Sequence, residues 1–298
     1  MGRPTAVRVR CPAKINLGLW ILGRREDGYH EVDTILQTVA LEDELLIEPA
    51  DKGFSLETRG IPIPADGPNL VERAWDVLRE TQTGSKFSGI RVQLIKRIPV
   101  GAGLGGGSSD AAGFLAGTSA LLGLELGPNE LERMAVRLGA DAPFFIRGGT
   151  TRGTGRGDSL RQLCPAEPFW TLLASPPFGI STTWAYGQMR KHLTAEGDGA
   201  TVLASALASR EWGAAANAMH NVFEDVVLPE FPSLVELKRA IIGGGAVKAQ
   251  LSGSGSTLFG VFRSHDEAMK AAKGIAGRGA EVRVVRTLER GVTVAPLA

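Results

Sequence analysis

The sequence predicts an α+β protein with two domains. Stretches that alternate apolar and polar residues, typical of half-buried strands, are separated by longer runs with helical spacing. A length of 298 residues suits two domains of ordinary size. Pro165 and Pro168 lie close together and interrupt both kinds of element. We therefore expect one domain over residues 1–163 and a second over residues 164–298.

The composition is that of an ordinary globular protein. Hydrophobic residues make up 43% of the chain, charged residues 22%, and the formal net charge is +1. So small a charge gives no overall attraction to nucleic acid or to an anionic membrane, and we expect neither as a partner. Cys11 and Cys164 each lie beside a proline without nearby metal-ligand residues, which argues against a disulfide framework and fits a reducing compartment.

The N-terminal segment predicts two strands joined by a turn. Residues 7–10 start a strand that continues through CPAKINLGLWILG, and ILQTVALEDELLIEP is typical of a returning strand. Asp27 and Gly28 between them are a strong turn signal. Lys14 and Asn16 interrupt the apolar stretch, so we expect no signal peptide, no membrane span and a cytoplasmic location.

Four residues here are polar or aromatic where a simple core strand would be apolar: Lys14, Asn16, Tyr29 and His30. On the residues alone, His30 is equally compatible with a buried structural histidine. For Lys14, a solvated surface lysine is the more usual interpretation of the residues alone. The pattern by itself leaves both roles open.

The next stretch predicts a turn-rich segment, a helix and a strand. Residues 51–68 are rich in glycine and proline. Asn69 is placed to cap a helix over NLVERAWDVLRE, whose apolar residues lie on one face. The stretch IRVQLIK, residues 90–96, alternates apolar and polar positions and predicts a half-buried strand.

The most informative stretch is PVGAGLGGGSSDAA, residues 99–112, between that strand and an alanine- and leucine-rich run. Five of the seven residues 101–107 are glycine, and residues that can cap a helix follow at Ser108, Ser109 and Asp110. A strand, a glycine loop and a helix start expose backbone N–H groups at the positive end of a helix dipole. We expect this loop to bind phosphate, the alternative being an ordinary glycine turn.

Two common phosphate-binding classes do not fit the loop. GAGLGG matches the dinucleotide fingerprint G-x-G-x-x-G, but the acidic residue expected about 20 positions later should end a strand. Glu125 lies near that distance and follows a helical run instead. A Walker A loop ends in G-K-[ST], and here Gly107 is followed directly by Ser108.

Asp141 is the next candidate. The stretch NELERMAVRLG predicts a helix that ends at Gly139, and Asp141 follows at the expected start of an apolar strand. A carboxylate there is partly desolvated and needs a partner. It is either a turn residue or a base or charge partner in a cleft. TRGTGRGD, residues 151–158, predicts a hairpin rather than a phosphate site.

The second half of the sequence predicts alternating strands and helices. FWTLLASPP and AEVRVVRTLE are strand-like, whereas STTWAYGQMRKHL, residues 200–218 and FPSLVELKRAII are helical. QLSGSGSTLFGVF predicts a strand and a glycine turn, followed by a strand or a helix. SHDEAMKAAKGIAG predicts a helix capped by Ser264.

Three stretches together resemble the GHMP kinase superfamily of small-molecule kinases: PAKINLGL (residues 12–19), the glycine loop, and LSGSGSTLFG (residues 251–260). Within it, R-x-D-G-Y-H, LGADAPFF and GGTTRGTGRGD are most similar to the members that act on 4-diphosphocytidyl-2-C-methyl-D-erythritol in the non-mevalonate isoprenoid pathway. The resemblance spans nearly the whole chain. It implies a ribosomal-S5-like N-terminal domain and a ferredoxin-like C-terminal domain, with catalysis in the cleft between them.

The resemblance also implies the chemistry, which is transfer of the ATP γ-phosphoryl group to the 2-hydroxyl of that substrate. Lys14 in PAKIN and Asp141 in GADAPFF align with the catalytic residues of the family. Asp141 would accept the hydroxyl proton, and Lys14 would favour the ionised carboxylate and stabilise charge at the reacting oxygen. Asn16 would orient the acceptor.

The ligand sites follow from the same resemblance. Tyr29 would stack on the cytosine, His30 would hydrogen-bond it, and Tyr186 would form the opposite aromatic wall. Mg²⁺ is expected with ATP. Its protein ligands cannot be read from the sequence, and Ser109 or a shell of water molecules is the candidate. The residues expected to bind ATP are Asn69, Lys96, Pro99, Val100, Gly101, Ala102, Gly103, Leu104, Gly105, Gly106, Gly107, Ser108 and Ser109.

Two alternatives stay open at this point. Another superfamily kinase, of the mevalonate or homoserine type, would lack a cytosine pocket and have no need of D-G-Y-H at residues 27–30. A non-catalytic sensor of ATP or sugar could lose Lys14 or Asp141, and both are present. The expected partners are ATP and a cytidine diphosphate-linked polyol, and the sequence does not predict the oligomeric state.

Overall fold

The computed structural model describes residues 4–64, 67–81, 89–164, 168–189 and 197–297. Two β-sheets, of eight and four strands, organise this part of the chain, and helices cover both. The predicted α+β class is confirmed.

The first sheet consists of β1 (Ala6–Arg24), β2 (His30–Pro49), β3 (Gly53–Gly60), β4 (Gly89–Lys96), β5 (Thr150–Thr154), β6 (Ser159–Gln162), β8 (His220–Asn221) and β12 (Thr293–Leu297). Its main order is β12-β1-β2-β4-β3, and the long antiparallel pair β1–β2 is the one that the N-terminal sequence predicts. The hairpin of β5 and β6 pairs with β2. Register shifts in β1 near Ala13 and Gly18 bend the strand on either side of Lys14 and Asn16.

Four helices pack against this sheet: α1 (Leu70–Thr81), α2 (Gly106–Leu122), α3 (Pro128–Val136) and α4 (Phe144–Arg147). Helix α2 lies close to β1, since a Cβ at Gly113 would come within 2.4 Å of the Cys11 sulfur. Trp75 and Phe114 meet edge to face in the core that α1 and α2 share with the sheet. This packing fixes the start of α2, which carries the glycine loop.

The second sheet consists of β7 (Trp170–Ser175), β9 (Lys248–Leu251), β10 (Leu258–Phe262) and β11 (Glu281–Arg286). The accompanying helices are α5 (Thr182–Gln188), α6 (Gly199–Ala208), α7 (Trp212–Ala218), α8 (Glu224–Glu230), α9 (Pro232–Gly243) and α10 (His265–Ile275). All pairs are antiparallel and the order is β11-β7-β10-β9. This is the ferredoxin-like arrangement that the resemblance implies.

A shared core joins the two sheets. Ile15 and Leu17 from β1 pack in one buried cluster with Leu173 from β7 and Phe259 from β10. The strand that carries Lys14 and Asn16 is therefore held from both sides.

Several element predictions were wrong in detail. Residues 53–60, predicted as part of a turn-rich segment, form β3, because Phe54 and Leu56 pack on the core between flanking turn residues. The helix predicted over residues 200–218 is two helices. Arg210 has a left-handed φ of 59° and separates α6 from α7.

The surroundings of two candidate sites also differ from expectation. Helix α2 begins at Gly106 with Gly105 as its left-handed N-cap, so Ser108, Ser109 and Asp110 lie inside the helix and do not cap it. The segment after Asp141 is the short helix α4 rather than a strand, and its phenylalanines are buried as part of a helical turn.

Strands β8 and β12 lie late in the chain but pair with β1 in the first sheet. The domain boundary at residues 163 and 164 stays a prediction. Among the helices of the described ranges, none is long and apolar enough to cross a membrane.

Candidate active site

One cleft of about 1850 Å³ gathers nearly all of the predicted site residues. Lys14, Asn16, Asp141, Tyr29, His30, Tyr186, Asn69 and Lys96 line it, together with Pro99 to Gly103 and Gly105 to Ser108. Leu104 and Ser109 do not line it. Leu104 is buried in the core between the sheets, and the Ser109 hydroxyl is buried without a hydrogen-bond partner among the described residues.

The glycine loop turns its carbonyl groups away from the cleft. The carbonyl of Gly101 accepts from the N–H of Ile180, that of Ala102 from the N–H of Thr257, and that of Leu104 from the N–H of Lys14. The Ser252 hydroxyl donates to the Gly103 carbonyl over 2.9 Å. The backbone N–H groups of residues 101–107 have no such partners within the described ranges.

Glycine is required at two points of this loop. Gly103 and Gly105 have φ values of 77° and 71°, in the region that favours glycine. A Cβ at position 103 would lie 2.0 Å from the Ser252 carbonyl oxygen, and one at position 105 would lie 2.8 Å from the Phe145 ring. Unpaired N–H groups at the positive end of the 17-residue helix α2 form a concave site suited to phosphate oxygens.

Lys14 and Asp141 form an ion pair on the cleft, with 3.7 Å between Nζ and Oδ2. The lysine side chain is 5% exposed, whereas the aspartate side chain is 44% exposed. The partner that the sequence analysis expected for Asp141 is therefore a buried cation, although the carboxylate is less desolvated than expected. The carboxylate itself is open to a ligand.

A chain of hydrogen bonds orients the lysine. The Lys14 ammonium donates to Asn16 Oδ1 over 2.6 Å, and the Asn16 amide donates to the Thr34 hydroxyl over 2.9 Å. The Thr34 hydroxyl donates in turn to the Gly18 carbonyl at 2.7 Å. All of these groups are buried, so the Asn16 amide oxygen faces the ammonium and its orientation is set.

Lys96 occupies a different setting. Its ammonium donates to the carboxylates of both Asp43 and Asp110, and all three residues are buried. Asp43 also accepts from the backbone N–H of Ile98 at 2.9 Å, which ties β2 to the start of the glycine loop. We name Asp43, Lys96 and Asp110 the buried triad.

Burial and charge shift the pKa values within the buried triad. Burial raises the pKa of Asp110 to about 8, with Lys96 opposing the shift and Asp43 adding to it. Burial alone would lower the pKa of Lys96, but Asp110 and Asp43 more than offset it and the pKa is raised. One lysine thus serves two carboxylates, and Asp110 holds a proton at neutral pH.

The aromatic residues form two groups. The rings of His30 and Tyr186 stack with centroids 5.0 Å apart, which leaves no room for a third ring between them. Burial lowers the pKa of His30, with Arg24 adding to the shift. Burial raises the pKa of Tyr186 to about 12, and the charge of Asp141 acts in the same direction. His30 is therefore neutral and Tyr186 keeps its hydroxyl proton at pH 7.

Tyr29 stands apart from this stack. Its side chain is 58% exposed, and the guanidinium of Arg156 lies over its ring at 5.0 Å from the centroid. The two walls predicted for a base, Tyr29 and Tyr186, are thus separate surfaces of one cleft.

Asn69 caps α1 as predicted, since its side-chain oxygen accepts from the N–H of Val71 at 2.9 Å. Its own N–H donates to the Glu72 carboxylate at 2.9 Å. The cap fixes the amide at the edge of the cleft.

The sequence analysis missed the residues that support the site from behind. The Asn221 amide donates to the carbonyls of Leu251 and Gly253, both at 2.8 Å, and the Gln250 amide donates to the carbonyls of Asn16 and Leu17. Gln250 and Ser252 lie in the stretch LSGSGSTLFG or directly before it, which was a usable signal. Asn221 follows His220 and precedes Val222, in no recognisable motif, and gave none.

Comparison with known proteins decides the family. Residues 69–149 match the GHMP kinases N terminal domain, and residues 203–280 match the GHMP kinases C terminal family. A 4-diphosphocytidyl-2-C-methyl-D-erythritol kinase of Symbiobacterium thermophilum is 39% identical over 95% of this chain and 100% of the relative. The chain belongs to the 4-diphosphocytidyl-2-C-methyl-D-erythritol kinase family. A relative of the same name from Moorella thermoacetica is 39% identical over 92% of this chain and 96% of its own.

Solved structures agree with this membership. A crystal structure of 4-(cytidine 5'-diphospho)-2C-methyl-D-erythritol kinase matches with a TM-score of 0.80 and 33% identity, over 94% of this chain and 98% of the other. A homoserine kinase from Cytophaga hutchinsonii matches with a TM-score of 0.76 at 19% identity, over 99% of both chains. The second match shows the shared GHMP kinase fold alone. The chain is thus a member of a small-molecule kinase family.

Proposed function

We propose that this protein transfers the γ-phosphoryl group of ATP to the 2-hydroxyl of 4-diphosphocytidyl-2-C-methyl-D-erythritol. One observation carries the proposal: the Lys14–Asp141 pair lies in the same cleft as the unpaired N–H groups of the glycine loop and the aromatic side chains of Tyr29 and His30. Phosphate donor, acceptor base and reacting hydroxyl can therefore meet at one place. The relatives that carry this substrate's name match over nearly the whole chain.

In the reaction, Asp141 accepts the proton of the 2-hydroxyl as that oxygen attacks the γ-phosphorus. The bond between the γ-phosphorus and the bridging oxygen breaks, and ADP leaves with that oxygen. Lys14, held by Asn16, stabilises negative charge at the reacting oxygen and keeps Asp141 aligned. Such a transfer depends mainly on positioning and charge stabilisation, which the oriented Lys14 and its partner Asp141 supply.

The loop from Pro99 to Ser108 holds the ATP phosphates through its backbone N–H groups, with Leu104 and Ser109 acting as buried supports rather than ligands. Asn69 takes the adenosine side of the cleft. Lys96 supports the loop and does not contact the ATP directly, because its ammonium is already paired with the carboxylates of Asp43 and Asp110.

The donor set fits Mg²⁺ that arrives with ATP. In the described ranges no group of three or more His, Cys, Asp or Glu side chains could hold a metal ion. Mg²⁺ commonly keeps several waters and binds substrate phosphates, and the Ser108 hydroxyl is the loop side-chain oxygen on the cleft. When bound, the ion neutralises phosphate charge during transfer.

At the acceptor end, Tyr29 stacks on the cytosine and His30 hydrogen-bonds its edge, while Tyr186 supports His30 from behind through their stacked rings. Asn16 orients the methylerythritol. We also propose a cytoplasmic location, where the free thiols of Cys11 and Cys164 stay reduced.

The test is ADP release with ATP and Mg²⁺, with the cytidyl substrate, mevalonate and homoserine offered in parallel. We expect turnover with the cytidyl substrate alone, and phosphorus NMR of the product should show one new phosphomonoester beside the unchanged diphosphate. Turnover with mevalonate or homoserine instead would discard the cytosine site. ATP binding without any turnover would favour the sensor alternative.

A further inference from the structure

The Arg156 side chain covers the Tyr29 ring, on which the proposed function places the cytosine base. Its guanidinium lies 5.0 Å from the Tyr29 centroid, and both residues line the cleft. Two of its nitrogens donate to one oxygen of Asp158, at 3.0 and 3.2 Å. Within the described ranges, the third guanidinium nitrogen has no hydrogen-bond partner.

The backbone beneath Arg156 is fixed, so any movement belongs to the side chain. Arg156 lies in the turn between β5 and β6, and the carbonyl of neighbouring Gly155 accepts from the N–H of Val32 at 2.7 Å. Val32 is on β2, two residues after His30. The turn therefore keeps a constant place beside Tyr29, while the Arg156 side chain is 36% exposed and free to change its rotamer.

The charges of the cleft make Arg156 one of few cations open to a new partner. Lys14 is committed to Asn16 and Asp141, and Lys96 to the buried triad. The ion pair of Arg156 with Asp158 is part-exposed, and exposed pairs of this kind contribute little stability. A phosphate offers a guanidinium a charge-assisted, bidentate alternative.

We propose that Arg156 determines which acceptors bind. Its guanidinium leaves the Tyr29 ring when the acceptor binds and pairs instead with a phosphate of that acceptor. The inference rests on the proposed function, which puts a cytosine ring against Tyr29. A pyrimidine nucleoside without phosphate must displace the guanidinium from the Tyr29 ring and forms no ion pair with it. A pyrimidine nucleoside diphosphate displaces it and pairs with it. Arg156 thus selects acceptors that carry a phosphate next to the base.

This exchange predicts opposite effects on two ligands when the charge is removed. In Arg156→Met, cytidine should bind about two- to five-fold more tightly, because no cation competes for the ring. Cytidine 5'-diphosphate should bind about ten-fold more weakly or worse, because its phosphates lose a charge-assisted partner. Arg156→Lys keeps a charge without the planar fork and should restore part of the diphosphate affinity.

The experiment is calorimetric titration of the full chain with cytidine and with cytidine 5'-diphosphate, for the parent, Arg156→Met, Arg156→Lys and the control Arg161→Met. Arg161 is an exposed arginine of β6 that does not line the cleft, so its variant should bind both ligands like the parent. Circular dichroism checks that each variant is folded.

The outcomes separate the two proposals. Opposite shifts for the two ligands in Arg156→Met support the exchange. Equal shifts in one direction, or none, overturn it while leaving the proposed function in place if the parent still phosphorylates the cytidyl substrate. A parent that neither binds cytidine 5'-diphosphate nor turns over that substrate overturns both.

Discussion

Lys14 and Lys96 line the same cleft and both pair with aspartate, yet their surroundings differ. Lys14 meets Asp141 at 3.7 Å, and that carboxylate is nearly half exposed. Lys96 lies between Asp43 and Asp110, all buried and in direct hydrogen-bond contact. An ion pair with an exposed carboxylate can accept a proton from a ligand or bind its charge. A fully buried group of charges can only link the secondary-structure elements that carry it. The same two residue types therefore serve chemistry in one place and architecture in the other.

The strongest test of this contrast is Asp141→Asn. The amide keeps the shape but cannot accept the hydroxyl proton, so we expect kcat to fall by about 10²- to 10⁴-fold. The midpoint of thermal unfolding should stay near that of the parent, since the carboxylate is half exposed. Steady-state kinetics and a thermal melt measure both quantities. A variant that still turns over near the parent rate would remove Asp141 from its role as base.

Lys96→Met should show the reverse pattern. Removing the lysine leaves the Asp43 carboxylate buried without a counter-charge, which costs about 3–5 kcal/mol of unfolding free energy. Urea denaturation measures the loss, and Lys270→Met, at an exposed position of α10, is the matched control. A loss below about 1 kcal/mol, the scale of a surface pair, would show that the buried triad is not structural.

Asp110→Asn gives the smallest expected effect for a single step of pH, and it tests the buried triad through its pH dependence. The pKa of Asp110 is raised from 3.8 to about 8, so between these values the folded protein holds more protons than the unfolded chain. The parent therefore loses stability as pH rises through that window, by at most about 1.4 kcal/mol per pH unit. Asparagine does not titrate, so the free energy of unfolding of Asp110→Asn should increase relative to that of the parent as pH rises.

The measurement is urea denaturation of both proteins at several pH values within that window, with Asp76→Asn as the control. Asp76 is exposed on α1, so its variant should follow the parent at every pH. A constant difference between Asp110→Asn and the parent across the window would contradict the raised pKa.

The sequence predicted those parts of the site that lie in short contiguous motifs. The glycine loop, the Asn69 cap and the β5–β6 hairpin depend on local residue types, and the structure confirms the elements that they predict. Residue roles at Lys14, Asp141, Tyr29 and His30 came from resemblance to a family, and they stay predictions until tested. The hairpin was recognised, but the sequence analysis assigned no role to Arg156.

What sequence reasoning missed depends on contacts between distant segments. Asp43 looks like one more acidic residue in LEDELL, and only the fold brings it to Lys96, 53 positions later. Asn221 holds the turn at residues 251–253 without any local motif. Strand β3 was hidden because glycine and proline at its ends are stronger local signals than two half-buried apolar residues. Tertiary packing decided each of these cases.

The pairing of β12 with β1 also affects how the protein is made. Ala6 pairs with Leu297, so β1 leaves the ribosome long before the strand that completes its edge. At about 5–20 residues per second, that delay is roughly 15–60 s. Throughout it, the edge of β1 at residues 6–10 lacks the partner strand that covers it in the folded protein. Newly made protein is thus open to edge-to-edge association until β12 has been synthesised, and a chaperone that covers the start of β1 during that interval would raise its yield.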